Sequence, residues 1–293
     1  MPMATSPDAT ATNPTLSGAL DRRCLVIIGG TQGLGWSAAE ACLREGARVV
    51  VVGRDPLPDV AAVHRVRDRL EVIIADAREP ETAERAIDRC VERFGGFHGL
   101  YHVAGGSGRA WGDGPLHTIP LSGWQQTLDL NLTTAFLSNR AAIHWFLRGK
   151  QPGCILNCGS VLANSPSPEL FGTMAYATAK SALVGMTQAS AAAYAPHNIR
   201  VNLVAPGLTA TPMSLRAQTN ATIQDFITRK QPLDGGRMGR PEDLDAAVVW
   251  LLSEGSRFVT GQVIAIDGGW SVSEAAASTA PDRSSPPCLL PSP

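Results

Sequence analysis

Seven short apolar runs alternate with helix-patterned segments through the body of this 293-residue chain, and that alternation limits its architecture more than any single motif does. The runs fall at 24–28, 49–52, 72–75, 99–103, 154–157, 201–204 and 263–266. A strand with one wet face alternates polar and apolar side chains, so runs without alternation predict strands covered on both faces, as in a parallel sheet. Between them, residues 38–44, 81–94, 124–147, 176–194 and 241–252 repeat apolar positions at the helical period. Strand and helix in repeated succession predict an α/β fold: a doubly wound sheet with right-handed crossovers. No internal linker divides the pattern, so one domain over residues 21–274 is expected. Residues 1–20 and 275–293 are rich in Pro, Ser and Ala without periodic apolar positions, which predicts disordered tails.

Composition narrows the function classes. With 44% apolar and 17% charged residues, the chain can bury a substantial core. A net charge of −1 gives no attraction for nucleic acid or an anionic membrane surface. No apolar run approaches the roughly 20 residues that span a bilayer. Residues 1–18 lack a basic start followed by an apolar stretch and do not read as a secretory signal. The six cysteines (24, 42, 90, 154, 158 and 288) form neither a Cys-x-x-Cys pair nor a disulfide framework. If Cys154 and Cys158 share one strand they lie about 13 Å apart, beyond disulfide reach. Reduced thiols in a cytoplasmic enzyme without a metal site fit this set best.

The first crossover carries Gly29-Gly30-Thr31-Gln32-Gly33-Leu34-Gly35 directly after an apolar run. Glycines in such a turn supply unusual backbone angles and let a pyrophosphate approach the helix N-terminus. The spacing is G-x-x-x-G-x-G rather than G-x-G-x-x-G, but the strand–turn–helix context is the one dinucleotide binding needs. Gly29, Thr31, Gln32, Gly33, Leu34 and Gly35 are therefore candidate cofactor contacts. At the end of the second run, where NAD-preferring folds place a carboxylate for the ribose hydroxyls, this chain has Gly53, with Arg54 beside it. A guanidinium pairs with a ribose 2′-phosphate, so NADP(H) is favoured over NAD(H). Asp55, two residues late for the ribose, is the competing reading.

Tyr176 and Lys180 stand four apart in a helix-patterned segment and so share one face. A phenol titrates near 10 in water. A cation at about 4 Å is worth on the order of 4 kcal/mol at an effective dielectric of 20, roughly three pKa units. Lys180 is thus expected to bring Tyr176 into the range of a general acid/base. In order along the chain stand Gly29/Gly33/Gly35, Asp76, Ala104-Gly105, Asn131, Ser160, Tyr176/Lys180, Pro206-Gly207 and Asp267-Gly268-Gly269. With these motifs, residues 22–272 resemble the short-chain dehydrogenase/reductase superfamily.

That resemblance implies a Rossmann-type, mostly parallel seven-stranded sheet and an oxidoreductase acting on a small carbonyl or alcohol. It implies Tyr176 as acid/base and Lys180 as the group that lowers its pKa and holds the nicotinamide ribose. Ser160 would donate to the substrate oxygen, or merely terminate a strand. Asn131 would support a water chain to Lys180, or be a satisfied buried polar group, or be a helix-kink residue. Asp76 with Ala77 would meet the adenine, or Asp76 would cap a helix. Ala104 and Gly105 would line the cofactor, and Pro206, Gly207, Thr209 and Thr211 would anchor its carboxamide end. A homotetramer or homodimer is implied, joined over 124–147 and 176–194.

Departures from the family pattern mark the substrate rim. Where two asparagines usually precede Ala-Gly, this chain has His102 and Val103. His102 either takes over a hydrogen bond there or packs in the core. Tyr176 lies sixteen residues after Ser160, against about thirteen in the family, and 164–171 carries the extra length. The stretch 105–114 is unusually glycine-rich, and Arg109 in it either steers an anionic substrate or is a solvated loop residue. Residues 213–230 occupy the place of a mobile lid.

Overall fold

The computed structural model describes residues 18–57 and 66–274. Most of the two predicted tails, 1–17 and 275–293, lies outside the described residues. The predicted boundary at residue 20 is corrected, because Leu20 is fully buried and its backbone N–H donates to the Glu45 carbonyl at 3.0 Å.

All seven apolar runs form strands: β1 (Cys24–Ile28), β2 (Arg48–Gly53), β3 (Leu70–Ile74), β4 (Gly99–His102), β5 (Gly153–Cys158), β6 (Ile199–Pro206) and β7 (Val263–Ile266). They make one sheet in the order β3-β2-β1-β4-β5-β6-β7, and every pairing is parallel. The order reverses between β1 and β4, which opens a crevice at the C-terminal strand ends, where ligands bind in folds of this kind.

Helices cover both faces, and the strand residues divide between them by parity. Leu25 and Ile27 of β1, with Val49 and Val51 of β2, pack against α1 (Gly33–Arg44). Val26, Ile28, Val50 and Val52 face the other way onto Ala86, Ile87 and Cys90 of α2 (Thr82–Phe94). Each fully buried Val, Leu or Ile contributes roughly 1.5–3 kcal/mol relative to an exposed one. The unalternated runs therefore record two hydrophobic layers on one sheet. Cys154 and Cys158 share β5, and both are buried and free.

The segment predicted as one helix over 124–147 is broken. It runs as α3 (Leu121–Leu128), a π-helical turn at Asp129–Thr133, and α4 (Thr134–Gly149). The widened turn carries Asn131, which is completely buried. After a short helix α5 (Pro168–Phe171), α6 (Met174–Tyr194) brings Tyr176 and Lys180 to the strand ends. The last predicted helix begins as a 3-10 turn at Pro241–Leu244 and continues as α9 (Asp245–Leu252), after α7 (Leu215–Thr219) and α8 (Ala221–Lys230).

Candidate active site

Strand ends from β1, β2, β4, β5 and β6 surround one cavity of about 370 Å³. Gly29 takes a left-handed φ of 87°, and a Cβ there would sit 2.6 Å from the Ala104 nitrogen, so only glycine lets the first turn cross the end of β4. Gln32 precedes α1 without a side-chain cap, which leaves the first N–H groups of the helix directed to a ligand. Gly29, Thr31, Gln32, Gly33 and Leu34 line the cavity. Gly35 does not, contrary to expectation. It serves packing instead, because a Cβ on Gly35 would strike the Gly29 carbonyl.

The opposite rim carries Arg54, Asp55, Asp76 and Ala77. A side chain at Gly53 would collide with Thr31, so the position where a carboxylate was sought is sterically closed. Arg54 forms no ion pair among the described residues. Asp76 is held by Arg78, whose Nη2 lies 2.6 Å from Oδ2 and whose hydrogen bonds pull the carboxyl below its usual range. Its side chain does not cap α2; only its backbone carbonyl is used, by the Thr82 hydroxyl. Ala104, Gly105, Pro206, Gly207, Thr209 and Thr211 complete the expected cofactor wall. The glycine cradle and the open helix start fit a dinucleotide.

Ser160, Tyr176 and Lys180 meet on one wall of the same cavity. Lys180 is buried; its Nζ donates to the Cys158 carbonyl at 2.8 Å and lies 5.6 Å from the centre of the Tyr176 ring. Ser160 Oγ accepts the Leu162 N–H at 3.2 Å, and its hydroxyl hydrogen-bonds the Tyr176 phenol. The pKa of the Tyr176 phenol is subject to opposing influences. Burial pushes that pKa up, and only the neighbouring Ser160 hydroxyl pulls it back. Burial also pushes the Lys180 ammonium down. Desolvation at this wall outweighs the attraction that spacing alone suggested.

Asn131 stays off the cavity wall. Its Nδ2 donates to the Thr127 and Gly106 carbonyls, both at 2.9 Å, and its Oδ1 accepts the Gly106 N–H at 3.0 Å. A Cβ on Gly105 would lie 2.8 Å from Asn131 Oδ1 and 3.3 Å from Lys180 Nζ, so glycine keeps these two groups facing across a short gap. His102 proves to be a core residue. Its ring nitrogens contact the Ala104 carbonyl at 3.1 Å and the Ser138 hydroxyl at 2.9 Å, and burial pushes its pKa down to about 3.

Three residues of the site carried no recognisable sequence signal. Asp113 accepts the Ala175 and Tyr176 N–H groups at the start of α6. Trp270 donates from its indole to the Ser165 carbonyl at 3.1 Å and packs on Phe171, which fixes the insertion over the cavity. Arg216 joins Arg109 on the cavity wall.

A doubly wound parallel sheet with a glycine turn at its switch point defines a dinucleotide-dependent enzyme class. The comparisons narrow that class. Residues 29–271 match the family model described as enoyl-(acyl carrier protein) reductase. The chain belongs to the short-chain dehydrogenase/reductase superfamily, and it is an NAD(P)-dependent oxidoreductase acting on CH–OH groups. It is 33% identical over 261 residues to 2-(S)-hydroxypropyl-CoM dehydrogenase 3 of Xanthobacter autotrophicus, covering 87% of this chain and 98% of that relative. It is 31% identical over 253 residues to 2,5-dichloro-2,5-cyclohexadiene-1,4-diol dehydrogenase of Sphingobium indicum, covering 86% and 98%. A short-chain type dehydrogenase/reductase structure from Mycobacterium ulcerans superposes with a TM-score of 0.77 at 30% identity, covering 86% of this chain and 91% of that one. No helix among the described residues is long and apolar enough to cross a membrane.

Proposed function

We propose that this enzyme interconverts a ketone and a secondary alcohol with NADP(H), with Tyr176 as the general acid/base. The carrying observation is the convergence of Ser160, Tyr176 and Lys180 on the wall that the glycine turn also borders. When bound, the nicotinamide supplies or accepts the hydride at the carbinol carbon, and negative charge grows on the oxygen during reduction. Ser160 turns its hydroxyl from the Tyr176 phenol and donates to that oxygen. Tyr176, kept protonated by its surroundings, hands over the proton that completes the alcohol. Lys180, anchored on the Cys158 carbonyl, presents positive charge beneath the Tyr176 ring. Asn131, across the Gly105 gap, supports proton resupply to Lys180.

Gly29, Thr31, Gln32, Gly33, Leu34, Ala104, Gly105, Pro206, Gly207, Thr209 and Thr211 hold the cofactor in this reading, with Asp76 and Ala77 at the adenine. Arg54, which forms no ion pair among the described residues, takes the 2′-phosphate, and the clash of a Cβ at Gly53 with Thr31 leaves no room for an acid at that position. A dinucleotide sensor without turnover would not need Ser160, Tyr176 and Lys180 together. A cytoplasmic homodimer or homotetramer accompanies this reading; Phe136, half exposed on α4, supports association through that face. A panel of ketones followed by NADPH absorbance tests the activity, and light scattering in solution tests the assembly. Absence of turnover on every carbonyl and alcohol, with either nicotinamide, would refute the reading.

A further inference from the structure

Two guanidinium groups without carboxylate partners among the described residues stand at the cavity that holds Ser160 and Tyr176. Arg109 opens the 3-10 turn Arg109–Trp111 after β4, and Arg216 lies in α7. Both donate to a single acceptor, the Leu170 carbonyl, Arg109 at 3.3 Å and Arg216 at 3.0 Å. Among the described residues neither enters an ion pair. Asp113 attracts Arg109, but its two carboxylate oxygens are committed to the N–H groups of Ala175 and Tyr176. Burial and the like charge of Arg216 push the Arg109 pKa down, a sign that the two cations feel each other.

Leu170 belongs to 164–171, the segment of extra length between Ser160 and Tyr176, which Trp270 holds in place. The insertion thus gathers two like charges, from a loop and from a lid helix, at one edge of the cavity. Like charges so placed repel unless an anion joins them, and a guanidinium fork matches the paired oxygens of a carboxylate or sulfonate. Each arginine spends one N–H on Leu170 and keeps others for a ligand. Val161, Leu162, Phe171, Met213 and Trp270 make the adjoining wall apolar.

We propose that the substrate is an anionic ketone or alcohol, whose carboxylate or sulfonate bridges Arg109 and Arg216 while its carbonyl oxygen meets Ser160 and Tyr176. An apolar spacer joins the two ends. This assignment rests on the oxidoreductase reading above and adds the chemical class of the substrate.

The test uses keto acids of three chain lengths, 3-oxobutanoate, 4-oxopentanoate and 5-oxohexanoate, each against its neutral amide, in the wild type and in Arg109→Met and Arg216→Met. The wild type is expected to show an acid-over-amide ratio of kcat/KM of about 100 or more for at least one length, and each variant to lower it at least tenfold. Arg216→Lys should restore part of the ratio. In parallel, hexanoate, hexane-1-sulfonate and hexanamide are titrated calorimetrically into protein saturated with NADP⁺. The anions should bind at least tenfold more tightly than the amide, and the advantage should shrink in both variants. A wild-type ratio near one, or a ratio that neither variant changes, overturns the proposal. So does a loss of NADP⁺ affinity in the variants at constant ratio, which would assign the pair to the cofactor. If every ketone is inert, the oxidoreductase reading fails, and the titration still decides the anion site.

Discussion

Asp113 accepts the backbone N–H of Tyr176 at 3.0 Å through one carboxylate oxygen and that of Ala175 at 2.9 Å through the other. The N-cap residue of α6, Thr173, makes no side-chain cap bond, so a loop some sixty residues upstream supplies what the local sequence lacks. A carboxylate at a helix start satisfies orphan donors and sits favourably in the helix dipole. The glycine-rich stretch after β4 is thereby tied to the backbone of the acid/base candidate.

Removing that tie should lower both stability and turnover. Asp113→Ala is expected to cost about 1–2 kcal/mol in chemical denaturation, in the range of a lost cap with buried donors. Asp113→Asn, with one carbonyl oxygen instead of two, should fall between. Loss of kcat should exceed the change in KM, because Tyr176 is displaced rather than the pocket closed. Wild-type kcat in a destabilised Asp113→Ala protein would reduce the contact to a purely structural role.

Gly105→Ala places a methyl group 2.8 Å from Asn131 Oδ1 and 3.3 Å from Lys180 Nζ. The expected result is a kcat reduced at least tenfold with an unfolding midpoint lowered by only a few degrees, about 1 kcal/mol. Full activity in this variant would show that the space between the two groups is not needed for proton resupply.

The proposed preference for NADP(H) rests on Arg54. Replacing it by Ser should cut kcat/KM with NADPH by about 10–100-fold, the worth of a charged hydrogen bond, and leave NADH nearly unchanged. An unaltered NADPH-to-NADH ratio would remove Arg54 from the 2′-phosphate site.

His102 makes stability depend on pH with a definite sign. Its folded pKa is depressed to about 3, against about 6.5 for the unfolded chain, so between these values the unfolded state binds the extra proton. The contribution is therefore fully present above pH 6.5 and is lost as pH falls. Between pH 7 and pH 5 the loss is on the order of 2 kcal/mol. His102→Asn cannot take up that proton, and its stability should fall by correspondingly less over the same interval in urea titrations. Parallel pH profiles for the two proteins would contradict the assignment.

Much of the fold was legible because burial on both faces leaves an apolar run with little ambiguity, and β1 and β7 match their runs residue for residue. β6 is longer than its run because Arg200 interrupts the hydrophobicity ahead of Val201 while still pairing with β5, as polar Asn202 does within the run. Those side chains are satisfied locally, Asn202 on the Val259 carbonyl at 2.9 Å. Asn131 was readable as a helix-kink residue, but the π-turn itself was not, since one widened turn barely disturbs a helical period. Of the site, the motif residues were readable by spacing and by resemblance. The contacts of Asp113, Arg216 and Trp270 were not, because each joins segments that only the sheet topology brings together. For a related reason, the four-residue spacing of Tyr176 and Lys180 reports the nearby charge but not the depth of burial around the phenol.

The most direct test of the central claim is single-turnover reduction by Tyr176→Phe, which removes only the hydroxyl. With a ketone that the wild type reduces, the rate should fall by roughly 10²–10⁴-fold, the usual worth of a positioned proton donor, while NADP⁺ affinity stays within a few-fold. A Tyr176→Phe enzyme that reduces the ketone at the wild-type rate would show that Tyr176 is not the proton donor.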